Sequence, residues 1–165
     1  MIRIHSRLLL FLALAPGLLP AQTPAQVEAL AGLLAAEDAR RYDAALLQRA
    51  ARSRDQLVRR HAVLAAGRIG DLRGGPLLTA LLDDPDRSVR ASAAFAIGLL
   101  RDSTLSGALI ARLQRAPLDS ATASELVTSL AKVGGRRASA VIARVLDREL
   151  EPPEPAGGAA RLAAL

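Results

Sequence analysis

The stretch "DQLVRRHAVLAAGRIGD", from Asp55 to Asp71, is followed by "DRSVRASAAFAIGLLRD", from Asp86 to Asp102. A step of 31 residues carries Asp55 onto Asp86, Val58 onto Val89, Arg59 onto Arg90, Ala62 onto Ala93, Ala65 onto Ala96, Gly67 onto Gly98 and Asp71 onto Asp102. Each copy reads as a turn and an amphipathic helix, and each is followed by a second apolar run, Pro76 to Leu82 and Leu105 to Leu113. Helix pairs that recur at such a period cannot bury their apolar faces alone and are stable only when stacked on one another. The pattern predicts an all-α chain, a right-handed α-solenoid of about three to four helix pairs.

Working outward, Leu46 and Leu47 precede Leu77 and Leu78 by the same 31 residues, which places a first helix from Asp43 to Arg52. In the helix that follows, Val58, Ala62, Ala65, Ala66 and Ile69 form an inner face. Glycine inside a helix costs about 1 kcal/mol against alanine. Its recurrence as Gly67 and Gly98 therefore predicts close crossings with neighbouring helices. Gly70 is placed for a left-handed helix end, and Gly74, Gly75 and Pro76 for a turn. Downstream the step lengthens to 33, Leu109 mapping onto Ile142 and Leu113 onto Leu146, while the Val-Arg pair is lost. Thr122 with Glu125 reads as a capping box, and a last helix is expected from Arg136 to Glu149.

The run D-x-x-V-R-x-x-A followed by A-x-G, with "AAGRIGD" and "DDPDRSVR", resembles the short bacterial HEAT-like repeats of the class first named for phycobiliprotein lyases. The resemblance extends from about Asp38 to Asp147. It implies a scaffold fold, and a ladder of hydrogen bonds between repeats built from Arg59 and Arg90 with the turn residues Asp55 and Asp86. It does not fix an activity, because one fold hosts many functions. The lyase activity is carried only by the name of the class. A less specific similarity links "AAEDARRYD" and the repeats to regions that precede cyclophilin-type peptidyl-prolyl isomerase domains in some bacterial secreted proteins, and it implies the alternative reading, the N-terminal repeat region of a larger secreted enzyme whose catalytic part is not in these residues.

The ends of the chain differ from the middle. Met1 to Ala21 has two arginines, the apolar run Leu8 to Ala15 and a Pro16-Gly17 break, the form of a cleaved secretory leader. The run is too short to span a bilayer, which needs roughly 20 helical residues. The expected layout is a signal peptide over 1–21, a capping helix over 22–37, repeats over 38–150, and a Pro/Gly linker with the start of a further helix over 151–165. Thr23, Pro24 and Gln26 open the capping helix. Val27, Leu30, Leu33 and Leu34 share one of its faces and predict a lid on the end of the stack. Export to the periplasm or beyond follows from the leader.

Composition narrows the chemistry. The charge of +6 becomes +4 without Arg3 and Arg7, and the basic and acidic residues are interleaved. After the leader only Tyr42 and Phe95 are aromatic, so the core is aliphatic and there are no stacking platforms for nucleic acid. The absence of cysteine excludes disulfides and thiolate chemistry. His61 has only Leu57, Val58, Leu64 and Ala65 at helical spacing, which excludes a helical ligand pair. Asp83, Asp84 and Asp86 lack the spacing of a calcium loop and read as turn and capping residues. No catalytic, cofactor or metal motif is present. The expected activity is noncatalytic binding of another protein along the concave face of the second helices, with exposed arginines such as Arg49 and Arg68 as candidate contacts, no nucleic-acid partner and no stable membrane insertion once the leader is removed.

Overall fold

A computed structural model describes residues 23–115 and 118–150, with side chains as far as residue 145. The expected leader and the linker over 151–165 lie outside the described residues. Among the described residues eight α-helices run in order: α1 (Pro24–Asp38), α2 (Ala44–Ala51), α3 (Gln56–Ile69), α4 (Gly75–Leu81), α5 (Arg87–Leu100), α6 (Ser106–Leu113), α7 (Ser120–Val133) and α8 (Arg136–Leu150). Among the described residues there is no strand. The helices form two layers. In one, α1, α3, α5 and α7 pack each on the next; in the other stand α2, α4, α6 and α8, each of the first three packed on the second helix of its pair. This is the expected all-α solenoid.

The layers differ in build. The second helices α3, α5 and α7 each have 14 residues, whereas α2, α4 and α6 have 8, 7 and 8, so most of the shared apolar surface lies between second helices. Val58, Ala62, Ala65, Ala66 and Ile69 are buried, and Val89, Ala93, Ala96, Ile97 and Leu100 repeat the pattern on α5. Alanine at so many contact positions lets the backbones approach closely, at the expense of large side chains that would fill a wider gap.

Helix starts are set by side-chain caps. Asp43, Asp55 and Asp86 accept backbone N–H bonds at the starts of α2, α3 and α5. At α7 the expectation is corrected: Asp119 is the cap, and Thr122 lies one turn inside, donating its N–H to Asp119 Oδ1 and its hydroxyl to Oδ2. Glu125 accepts instead from the Ser129 hydroxyl at 3.3 Å. Asp71 and Asp102, one repeat apart, cap short 3₁₀ turns at Leu72–Gly74 and Ser103–Leu105. The turn expected at Gly74 and Gly75 is thus a 3₁₀ turn running straight into α4, and both glycines have ordinary negative φ.

The helix α1 also departs from expectation. It starts with the predicted capping box, in which Thr23 and Gln26 bond each other reciprocally. However, its expected apolar face is split. Leu33 is buried and Leu30 half-buried, while Val27 and Leu34 are 49% and 55% exposed. At the end of the stack α1 packs chiefly on α3, in the place of a second helix in its layer.

Candidate interaction surface

The repeats are joined by an arginine ladder at one end of the second helices. Arg59 Nη1 donates to the carbonyls of Ser53 and Arg54, and Arg90 Nη1 to those of Asp84 and Pro85, the equivalent positions 31 residues on. The rest of each guanidinium reaches forward into the next repeat. Arg90 Nη2 lies 2.7 Å from Asp119 Oδ2. Arg59 places Nε 2.8 Å from Asp84 Oδ2 and Nη2 2.9 Å from Asp84 Oδ1. In the first turn of α1, Gln26 likewise donates forward, to Asp55 Oδ2. For Arg59 the turn aspartate is Asp84 rather than Asp86. Asp86 is occupied by the N–H and hydroxyl of Ser88 and the N–H of Val89, so the arginine takes Asp84, two residues earlier.

These contacts shift the charges they hold. The Asp84 carboxylate raises Arg59 further above its ordinary value. Arg90 and then the Thr122 N–H and hydroxyl hold the Asp119 carboxyl well below the usual carboxylate range. Asp86 is lowered mainly by the Ser88 hydroxyl. The acidic cluster is thereby accounted for. Asp84 pairs with Arg59, Asp83 pairs with Arg115 at 2.7 Å and Arg112 at 3.3 Å, and Asp86 caps α5. The cap is Asp86, as the sequence suggests, while Asp84 also accepts the Asp86 N–H within the turn. Among the described residues no group of histidine and carboxylate side chains is placed to hold a metal ion. His61 is half-buried.

The recurring glycines lie where second helices cross. A Cβ on Gly67 would stand 2.7 Å from Ala96 Cβ and 2.8 Å from Ala96 Cα. A Cβ on Gly98 would stand 2.7 Å from Ser129 Oγ and 3.1 Å from Ser129 Cβ. Ala96 maps onto Ser129 at the 33-residue step, so the same crossing occurs twice. Gly70 ends α3 at φ 77°, and Arg101 ends α5 in the same left-handed region at φ 51°.

The outward side of this layer is the candidate surface. The exposed large hydrophobics among the described residues are Val27 and Leu34 on α1, Leu99 on α5, and Leu72 in a 3₁₀ turn. A groove of about 830 Å³ brings Leu34 and Leu99 together across Gly67, with Glu37, Arg40 and Arg68 on its walls. Arg68 bonds Glu37 at 3.0 Å and remains about half exposed. Arg49 is exposed on α2 and lines a different, smaller groove between α1 and α2, so the structure does not bring the two arginines together. Further along, the Lys132 ammonium stands 5.0 Å over the ring of half-buried Phe95. Val27, Leu34, Phe95 and Leu99 went unremarked as a surface in the sequence. Their signal was apolar residues on helix positions facing neither the paired helix nor the next repeat.

No helix of the described residues is long and apolar enough to cross a membrane. Residues 75–154, a little under half of the chain, match the family of HEAT repeats. No curated protein matches the sequence. Together with the two-layer helical fold, the family match supports a HEAT-repeat protein.

Proposed function

We propose that this chain is a noncatalytic scaffold whose second-helix layer holds another protein, and that it acts outside the cytoplasm. HEAT repeats commonly serve as protein-interaction scaffolds, which supports the first part. The observation that carries it is the placement of exposed large apolar side chains: of the four among the described residues, Leu72 alone is not on a second-type helix. Burying them would stabilise a complex by about 25 cal/mol per Å² of apolar area removed from water, before the cost of association. Export rests on the leader-like Met1 to Ala21.

The experiment is affinity capture from the source organism with the wild-type chain, the double variant L34E/L99E and the control L72E, after thermal melts show all three folded. Capture of one defined protein by wild type and L72E, and its loss with L34E/L99E, supports the second-helix surface. Equal capture by all three, or loss with L72E alone, counts against it. Sequencing the amino terminus of the native protein checks export: a start near residue 22 supports it, and a retained Met1 to Ala21 in a cytoplasmic fraction counts against it.

A further inference from the structure

The partner's chemistry can be taken a step further, on the premise that the second-helix layer is the binding surface. Along α5, Phe95 and Leu99 stand one turn apart, the first half-buried and the second 38% exposed. Cations border this pair on both sides. From α3, Arg60 Nε reaches across to Ser92 Oγ at 3.3 Å, one turn before Phe95. From α7, Lys132 covers the Phe95 ring, and its Cδ would lie 3.2 Å from a Cβ on Gly98. Arg68 shares a groove with Leu99.

Of these three cations, only Arg68 is paired by an acidic group among the described residues. Glu37 pairs with Arg68, Glu125 accepts from Ser129, and Asp38 lies at the α1 end of the groove. Arg60 and Lys132 take part in no ion pair among the described residues. An apolar partner covering Phe95 and Leu99 would strip water from both cations and leave them without a counter-charge, and a basic partner would add repulsion. Carboxylates spaced beside the partner's apolar side chains restore the lost hydration and steer the approach.

We infer that the surface around Phe95 and Leu99 takes an acidic polypeptide segment carrying spaced aliphatic or aromatic residues, with Arg60 and Lys132 as its carboxylate contacts.

The test is a selection of random displayed peptides on the full chain at physiological salt, followed by affinity measurements on the winners. The inference predicts winners with net negative charge and at least two separated apolar residues. It also predicts binding weakened about tenfold or more by R60E/K132E, and by the milder K132Q to a smaller degree. The control R136E/R137E, which alters exposed cations on α8, should leave affinity within about twofold. Winners without acidic excess, no winners at all, or equal loss in the α8 control would overturn it, the last because bulk charge alone then explains binding. If F95E/L99E abolishes binding while R60E/K132E does not, the acidic chemistry fails and the surface stands. If neither pair matters, the surface fails too.

Discussion

Arg59 and Asp84 join two successive repeats by a fork of parallel bonds, 2.8 and 2.9 Å long, with the aspartate side chain 3% exposed and the arginine side chain 13%. This geometry matches the planar guanidinium to both carboxylate oxygens, and a lysine could not reproduce it. Asp84 Oδ1 also accepts the N–H of Asp86, so one side chain fixes the α4–α5 turn and ties it to α3. Asp84→Ala should therefore destabilise the chain by about 2–3 kcal/mol, because a largely buried guanidinium loses its counter-charge. Glu37→Ala, which breaks the more exposed pair with Arg68, should cost under about 1 kcal/mol. Urea denaturation of the two variants measures the contrast, and similar losses would show that the fork adds nothing beyond an ordinary surface pair.

The glycine crossings should respond unequally to the same change. At Gly67 an added methyl meets the Cα and Cβ of Ala96, which belong to a helix and cannot rotate away. At Gly98 the nearest atom is the Ser129 hydroxyl, which can, as can the Lys132 side chain, while the fixed Ser129 Cβ is farther off at 3.1 Å. Gly67→Ala should cost about 2–3 kcal/mol despite its gain in helix propensity, and Gly98→Ala about 1 kcal/mol or less. Thermal melts would decide, and a reversed order would mean that the helices slide apart more readily than side chains move.

Gly70 and Arg101 make a reciprocal pair. Both end a second helix with positive φ, but only the glycine does so without steric penalty. Gly70→Ala should destabilise by about 1 kcal/mol, and Arg101→Gly should stabilise by up to about 1 kcal/mol. Equal and small effects from both would show that the left-handed ends relax at little cost.

Acid should weaken the repeat junctions. Asp119 and Asp86 both titrate below their unfolded value in the folded chain. The unfolded state therefore binds protons more readily, and the stability these groups contribute is fully present above about pH 5 and lost progressively as pH falls below about 4. Asp119→Asn removes one of the two and should flatten that loss while lowering stability near neutrality. A wild-type profile that stays level to pH 2, or one that Asp119→Asn leaves unchanged in slope, would contradict the assignment.

The repeat and its inner face were legible because they depend on short-range periodicity and on identities at one fixed step. Val58, Ala62, Ala65, Ala66 and Ile69 needed nothing else to be placed. The ladder partners were not legible. The bond from Arg59 to Asp84 spans 25 residues and that from Arg90 to Asp119 spans 29, so no single offset finds both. The cap of α7 was misplaced because Thr122 and Glu125 form the same sequence pattern as a capping box, and only the backbone shows that the helix had already begun at Ser120. For α1, periodicity shows that Val27 and Leu34 share a face with Leu33 but says nothing of what covers it. Among the described residues, α1 has a layer neighbour only on the α3 side.

The central claim is that a partner lies on the second-helix layer, and site-specific photo-crosslinking in the source organism tests it most directly. A benzoylphenylalanine placed at Phe95, and separately at Leu72 as the control, would be irradiated in living cells and the adducts identified. The account predicts one defined polypeptide joined at position 95, none at position 72, and loss of the adduct when Leu34 and Leu99 are both changed to glutamate. Adducts at position 72 with none at 95, or an adduct at 95 that survives those two changes, would contradict it.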